Sequence, residues 1–518
     1  MNYLIGIDAG NTSIKTLIFD ENGNEISSAG SKSVRLKARG KGFEEFGIDE
    51  LWEETHACIN RTIQKSGINP KQIVGIGVTS FGNGLVPLGK NGETIAPGAF
   101  SHDYRANDII ELYKKEGSFD RINEITKGTV FAGSPAPILR WFKDHEPEVY
   151  EKIGAVLTFK DFIMYKLTDV FATDANNFGG SSMLDTVNLE YSKELLDLYG
   201  IPEMFDKLPK LAQEPSEIIG HVTEEAEQLT GLPSGTPVVA GMMDVFSCLV
   251  GAGATGDKTV TAVAGTWSIN LAHSENIVPN ASANMPYLKK GEYVNASWTG
   301  ASGVNYEWFT KVLGGNAKIE AEYKGISYYE VINELIASVP LEEAKVLFHP
   351  FVAQPSVHPE AKANFFNVDQ NTTYAELAYA LAEGVAFIHR YHINFLRSSG
   401  IDAEKVRLTG GIARSKEWAS IFANVLELPI EVVKCEEVGA LGVAIVAGVA
   451  TGVYKDYEDA FAKAVKVMPA VQPNPNTYKQ YNKRYKEWTL LVELMKQFWD
   501  KKLELEANSD ESDEAIHA

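Results

Sequence analysis

The stretch YLIGIDAGNTSIKTLIFD (Tyr3–Asp20) contains the phrase AGNTSI, and AGTWSI (Ala264–Ile269) repeats four of its six residues 255 positions later. Each copy lies between two runs of strand-forming residues and has a glycine turn at its centre. Each is a predicted hairpin in which a glycine, Gly10 or Gly265, lets main-chain N–H groups approach a small ligand. We interpret the repeat as two facing phosphate loops.

A second pair of related elements supports a duplication. IVGIGVTSF (Ile73–Phe81) has the apolar run of a buried strand, and KVRLTGGI (Lys405–Ile412) is a strand that opens into two glycines and the helix SKEWASIFANVLE. Strands alternate with helices through both halves. The sequence therefore predicts a duplicated α/β domain with a ligand cleft between the copies.

The overall composition limits the classes of function. A chain of 518 residues, 44% hydrophobic and 23% charged, is typical of a globular protein and too long for one core. The net charge of −21 argues against a nucleic-acid partner. Cys58, Cys248 and Cys435 are few, odd in number and far apart, which argues against disulfides or a zinc motif and favours a reducing cytoplasm.

The sequence predicts neither a signal peptide nor a membrane span. The start MNYLIGID lacks a signal-peptide pattern, and GALGVAIVAGVA (Gly439–Ala450) is too short to span a bilayer and is predicted to be a packed helix. Near the C-terminus, an apolar stripe at helical spacing indicates a helix clamped onto its own domain, with a coiled-coil seam as the alternative. The stripe comprises Tyr478, Tyr481, Tyr485, Trp488, Val492, Met495 and Trp499. The final EANSDESDEAIHA is acidic and predicted to be a disordered tail, solubilising or regulatory.

Three charged residues near the predicted turns suggest chemistry. Asp8 precedes the first loop and could hold a hydrated Mg²⁺ against nucleotide phosphates, or could be a turn aspartate. Lys15 could reach a phosphate, or could be an exposed strand lysine. Asp244, in an apolar small-residue segment, could be the general base for a substrate hydroxyl, or a helix cap. These alternatives stay open on local sequence alone.

Several segments together resemble the FGGY carbohydrate kinases of the actin, Hsp70 and hexokinase superfamily. The resemblance runs from Tyr3 to about Tyr454. Its motifs are IGIDAGNTSIKTLIFD, GSPAPILRWFKDH, AGMMD, AGTWS and LTGGIARS, in the family's order. It implies two duplicated ribonuclease H-like (actin-like ATPase) domains around a nucleotide and sugar cleft. It also implies transfer of the γ-phosphate of ATP, with Mg²⁺, to a hydroxyl of a small sugar or polyol.

The resemblance also implies roles for individual residues. Asp244 matches the catalytic base and Asp8 the residue that organises Mg²⁺. The implied nucleotide contacts are Asn11, Thr12, Ser13, Lys15, Gly265, Thr266, Gly303, Glu307, Gly410, Gly411 and Ser415. The implied substrate contacts are Gly82, Asn83, Asp103 and Arg105, together with Asp244.

Departures from the family pattern bear on the substrate. Gly82 is smaller than usual at its position, Asn83 stands where similar xylulose kinases have His, and Ile138 replaces a usual Lys. Several segments look most like the L-xylulose kinase branch, so a ketopentose such as L-xylulose is the expected acceptor. Gluconate, glycerol, erythritol, ribulose and D-xylulose are alternatives, as are an actin-like ATPase and a non-catalytic sugar sensor.

The expected domain division is linear. It comprises an N-terminal kinase domain at 1–246, a C-terminal kinase domain at 247–470, an amphipathic helix at 471–506 and the tail at 507–518. A homodimer is considered, although the sequence does not specify the oligomeric state.

Overall fold

The computed structural model describes residues 1–32, 34–254, 256, 258–353 and 356–517, with side chains up to residue 505. Strands and α-helices alternate along the chain. The strands are β1 (Tyr3–Ala9), β2 (Ser13–Asp20), β3 (Glu25–Lys32), β4 (Glu45–Phe46), β5 (Ile73–Ser80), β6 (Val86–Leu88), β7 (Gly98–Ala99), β8 (Ala155–Leu157), β9 (Ala172–Asp174), β10 (Lys210–Ala212), β11 (Ile218–His221), β12 (Pro237–Val239), β13 (Met242–Met243), β14 (Thr259–Ala264), β15 (Ser268–Ser274), β16 (Ala283–Pro286), β17 (Tyr293–Thr299), β18 (Leu347–His349), β19 (Asn364–Phe366), β20 (Lys405–Thr409) and β21 (Ile430–Val432).

The helices are α1 (Ile48–Ser66), α2 (Asn107–Glu116), α3 (Ser118–Thr126), α4 (Pro135–His145), α5 (Pro147–Lys152), α6 (Phe159–Thr168), α7 (Ala175–Gly180), α8 (Lys193–Tyr199), α9 (Glu224–Thr230), α10 (Asp244–Gly251), α11 (Gly303–Val312), α12 (Gly315–Lys324), α13 (Tyr328–Ala337), α14 (Tyr374–Ser398), α15 (Lys416–Leu426), α16 (Val438–Ala450), α17 (Tyr457–Ala464) and α18 (Tyr478–His517). Within the described ranges, no helix is both long and apolar enough to cross a membrane. The three cysteines are free thiols.

The chain forms two compact units. Unit 1 comprises Met1–Gly256, His273–Asn295 and Val433–Lys466, and unit 2 comprises Asp257–Ala272, Ala296–Val432 and Val467–Ala518. The linear division expected from the sequence assigns residues 433–466 to the second domain, whereas the structure packs them in unit 1.

Unit 1 is built on a sheet of strand order β11-β12-β5-β1-β2-β3, with β13 also paired to β5. The predicted hairpin is confirmed, since β1 and β2 are antiparallel and join Asp8 to Lys15 in register. The neighbouring pairs β1–β5 and β13–β5 are parallel. Because parallel strands end at the same edge of a sheet, the segments that follow β1, β5 and β13 meet there.

Glycines let α16 pack closely on this sheet. A Cβ at Gly6 would lie 2.0 Å from the carbonyl oxygen of Ala440, and one at Gly77 would lie 2.2 Å from that of Val443. The apolar run that predicted a packed helix is thus confirmed as a helix, and it covers β1 and β5. This packing explains why residues far along the chain belong to unit 1.

Unit 2 repeats the arrangement. Its strands β14, β15, β20 and β21 belong to a six-stranded sheet of order β16-β17-β15-β14-β20-β21. The second predicted hairpin, β14 with β15, is antiparallel, and β20 runs parallel to β14. The order β17-β15-β14-β20-β21 corresponds to β3-β2-β1-β5-β12 of unit 1. The predicted α/β duplication is therefore confirmed.

The C-terminal helix α18 packs within unit 2. Trp488, Val492 and Trp499 of the predicted stripe are buried. Arg484 of the same helix donates to both carboxylate oxygens of the fully buried Glu383 at 2.6 Å. A helix clamped onto its own unit is thus confirmed. The structure extends α18 through the acidic segment to His517, where the sequence predicts a disordered tail at 507–518, and the described side chains end at residue 505.

Candidate active site

Three of the predicted site residues lie at one edge of the unit 1 sheet. Asp8 is near the carboxyl end of β1, Asn83 lies in the loop after β5, and Asp244 follows β13 directly. Since these strands are parallel, their carboxyl ends coincide. The sheet topology therefore gathers residues that are about 75 to 236 positions apart in sequence.

The first loop is a tight turn with one unpaired polar atom. The backbone N–H of Gly10 donates to the carbonyl oxygen of Ser13 at 2.9 Å, and Thr12 is exposed at the tip. The buried Asn11 side-chain oxygen has no hydrogen-bond partner. Lys15 Nζ lies 2.6 Å from Glu437 Oε1. The loop thus presents an exposed hydroxyl and an unsatisfied acceptor beside a lysine.

The carboxylate of Asp8 lies against the start of α16. A Cβ on Gly439 would approach Asp8 Oδ2 to 2.9 Å, so a larger residue there would have to displace this carboxylate. Burial raises the pKa of Asp8 to about 6, with a further contribution from the negative charge of Glu437, while Lys15 opposes both. A positive charge near Asp8 would therefore stabilise its ionised carboxylate.

Asp244 is the first residue of α10, after Met243 at the cap position. Its Oδ1 accepts a hydrogen bond from the Val245 N–H at 2.7 Å. Burial, together with the negative charge of the nearby Asp8, raises its pKa to about 7. A carboxyl group with a pKa near neutrality is suited to accept a proton at physiological pH.

The loop after β5 is held in an unusual conformation. Asn83 has φ of 66°, in the left-handed region that non-glycine residues rarely adopt. Its backbone N–H donates to Ser181 Oγ at 3.0 Å, and its side-chain oxygen accepts from Ser134 Oγ at 3.1 Å. Two buried serines thus fix the conformation of Asn83.

Asp103 and Arg105 are buried together away from solvent. Arg105 Nε donates to Asp103 Oδ1 at 2.9 Å and Nη2 donates to Oδ2 at 2.7 Å, while Nη2 also reaches Glu45 at 2.9 Å. The Arg105 guanidinium lies 4.4 Å from the Phe43 ring centroid. Both residues are committed to protein contacts here, and a role in binding substrate stays a prediction.

The predicted nucleotide residues of unit 2 form their own cluster. The Gly303 N–H donates to the Gly265 carbonyl at 2.6 Å, and a Cβ on Gly303 would come within 2.5 Å of that oxygen. Gly410, with φ of 94°, has Ala264 backbone atoms 2.6 Å from the Cβ it lacks. Thr266, Glu307 and Gly411 are close to these glycines in sequence, and all three are exposed. The glycines thus permit close approach of three backbone segments.

A buried histidine supports this cluster and was missed by the sequence reasoning. His389 of α14 pairs through Nδ1 with Asn270 Oδ1 at 2.8 Å and lies 3.4 Å through Nε2 from Ser302 Oγ, next to Gly303. Burial lowers its pKa to about 3, so the ring is neutral. Ser415, by contrast, caps α15 by accepting from the Trp418 N–H at 3.3 Å. Within the apolar pattern of α14, no signal separates His389 from an ordinary core residue.

The carboxylates of unit 1 fit a Mg²⁺ ion that is held mainly by phosphates. In the part of the chain with described side chains, no group of three or more His, Cys, Asp or Glu could hold a metal by itself. Mg²⁺ in nucleotide sites commonly uses one or two carboxylates and completes its shell with phosphate and water. Asp8, with its raised pKa, and the unpaired Asn11 oxygen fit that donor set.

Comparison with known proteins decides the family. Residues 3–251 match the N-terminal domain of the FGGY family of carbohydrate kinases, and residues 260–451 match the C-terminal domain. The chain belongs to the FGGY family of carbohydrate kinases. It is therefore a sugar kinase, a phosphotransferase with an alcohol group as acceptor, and the family uses ATP as phosphoryl donor.

Similar FGGY proteins cover nearly the whole chain. The "L-xylulose/3-keto-L-gulonate kinase" of Escherichia coli strain K12 is 32% identical over 96% of this chain and 98% of its own length. The "Probable L-xylulose kinase" of Pasteurella multocida strain Pm70 is 31% identical over 96% and 99%. The crystal structure of xylulose kinase from Rhodospirillum rubrum has a TM-score of 0.87 and 25% identity over 96% of this chain and 100% of that one. The two-domain FGGY fold expected from the motifs is thus confirmed.

Proposed function

We propose that this FGGY kinase phosphorylates a terminal hydroxyl of a ketopentose of the L-xylulose type, with Asp244 as general base. The observation that carries the proposal is the carboxyl of Asp244, whose pKa is raised to about 7 at the sheet edge that also holds Asn83. The names of the two similar proteins support the choice of acceptor.

Each residue has a defined part in the proposed reaction. Asp244 accepts the proton of the acceptor hydroxyl while the hydroxyl oxygen forms a bond to the γ-phosphorus of ATP. The bond between that phosphorus and the bridging oxygen breaks, and ADP is released. When bound, ATP supplies the phosphoryl group and Mg²⁺ the charge that neutralises its phosphates. Asp8 holds the metal, and Lys15 with the loop residues 11–13 orients phosphate oxygens. Gly82 and Asn83 position the sugar.

The proposed setting is the cytoplasm, supported by three free thiols. A homodimer stays a prediction.

The test is an acceptor panel with ATP and Mg²⁺, read as ADP release. L-Xylulose, D-xylulose, D-ribulose, glycerol, erythritol and D-gluconate are compared at equal concentration. We expect the highest kcat/KM with L-xylulose and no turnover when EDTA removes Mg²⁺. ADP release that is independent of every acceptor would contradict the kinase proposal, and a preference for another acceptor would correct the substrate.

A further inference from the structure

The side chain of Met243 fills a space that two glycines leave empty. A Cβ at Gly82 would lie 2.0 Å from Met243 Cε and 2.4 Å from its sulfur. A Cβ at Gly180 would lie 2.5 Å from the same Cε and 2.9 Å from Met285 Sδ. Both methionines are buried. Neither glycine could carry a side chain while Met243 keeps this position.

The space filled by Met243 is next to the proposed acceptor contacts. Gly82 precedes Asn83, and Gly180 precedes Ser181, whose Oγ accepts the Asn83 N–H at 3.0 Å. Met243 itself precedes Asp244. The side chain of Met243 therefore lies against the loop proposed to hold the sugar and belongs to the residue directly before the proposed base.

The backbone of Met243 is anchored by a hydrogen bond to a buried side chain. Its N–H donates to the buried Asn176 Oδ1 at 3.1 Å, and the Asn176 amide donates to the Pro286 carbonyl at 2.7 Å. Methionine is unbranched and fills irregular gaps. A substitution at 243 thus changes the volume between Gly82 and Gly180 and leaves the fixed start of α10 in place.

We propose that Met243 sets the size of the acceptor pocket and is a specificity-determining residue of this kinase. The inference rests on the proposed function and adds which side chain selects acceptor length. Met243 takes the room that a larger residue at position 82 would take, so the pocket fits a five-carbon ketose. A smaller residue at 243 leaves a void beside Asn83 and Asp244 that one more hydroxymethyl group can enter.

The test compares kcat/KM for L-xylulose and for a neutral six-carbon ketose, L-sorbose, with ATP and Mg²⁺. For Met243→Ala, the ratio of sorbose to xylulose should rise roughly 10-fold or more, since one carbon unit in a pocket is typically discriminated by about 10- to 200-fold. Met243→Leu should change it by less than about 3-fold, because the volumes are similar. The matched control is Met242→Ala, which truncates the adjacent, also buried methionine and should leave the ratio as in the wild type.

A ratio for Met243→Ala within about twofold of the wild type overturns the proposal. If that variant does not fold, Gly82→Ala provides the opposite change: it pushes Met243 toward the acceptor and should lower kcat/KM for xylulose more than for the three-carbon glycerol, and equal losses overturn the proposal. A wild type that phosphorylates no acceptor refutes the proposed function instead. In that case, calorimetric titration of wild type and Met243→Ala with both ketoses gives the ratio of the affinities for sorbose and xylulose. A rise of this ratio in Met243→Ala supports the role of Met243 in pocket size, and an unchanged ratio overturns it.

Discussion

Burial raises the pKa of both Asp8 and Asp244, and a neighbouring negative charge adds to the effect, Glu437 for Asp8 and Asp8 for Asp244. Each carboxyl keeps a pKa well above the ordinary aspartate value because protein atoms replace water around it and another negative charge is near. Neither forms an ion pair among the described side chains. A carboxylate left in this state is suited to a proton or a cation brought by ligand.

Replacing Asp244 tests the base directly. Asp244→Asn should lower kcat by roughly 10² to 10⁴, the range expected for loss of a general base, while the Kd for ATP stays nearly unchanged. Steady-state kinetics and nucleotide titration measure the two effects. Retention of more than about a tenth of wild-type kcat would rule out this role. Asp369→Asn, a change in an exposed loop, is the control.

At this scale the sequence predicted which residues are near the site better than what they contact. Asp8 and Asp244 were identified beside their turns, and Asn83 beside its loop. The partner of Lys15 could not be predicted, because Glu437 is 422 positions away and only the packing of α16 brings it near. The burial of Arg105 against Asp103 was also missed, since a polar loop sequence does not show which side chains turn inward.

Among the elements, α16 packs closely against the glycines of β1 and β5. Both hairpins, β5, β20 and α15 were predicted from periodicity and turn residues. The sequence of α16 is apolar on all sides, which predicts burial but not the surface against which it is buried. Gly6 of β1 and Gly77 of β5 mark the surface that α16 covers, but this role can be seen only in the packed structure.

Gly77→Ala tests this close packing. The added methyl would meet the Val443 carbonyl oxygen at 2.2 Å and the Val443 Cβ at 2.8 Å, so β5 and α16 must separate. We expect a loss of about 1–3 kcal/mol in the free energy of unfolding, as for overpacking in a core, measured by urea denaturation. Gly315→Ala, with no atom within 4 Å of the new methyl, should be neutral or slightly stabilising. Equal stabilities would show that α16 does not need this approach.

For the whole molecule, the paired carboxyls make stability depend on pH. Asp8 and Asp244 have folded pKa values of about 6 and about 7, above the unfolded value of 3.8. The stabilisation due to each is therefore fully present below about pH 4 and is lost as the pH rises through about 6 to 7. Without nucleotide or Mg²⁺, the folded protein should become less stable over this range.

The double variant Asp8→Asn, Asp244→Asn isolates this effect. In EDTA, we compare the free energy of unfolding of the double variant with that of the wild type. The difference should shift by about 2–4 kcal/mol in favour of the variant between about pH 5 and about pH 8, because the two ionisations no longer oppose folding. Urea denaturation at several pH values measures the difference. Curves that stay parallel across this range would contradict the raised pKa values.

The return of residues 433–466 to unit 1 also bears on how the chain folds as it leaves the ribosome. Synthesis delivers β1 and β5 first, but α16, which covers them, emerges only after most of unit 2 has been translated. Until then an apolar face of the nascent sheet has no covering helix. The sheet around β1 and β5 is therefore open to chaperones and to aggregation until α16 has been synthesised.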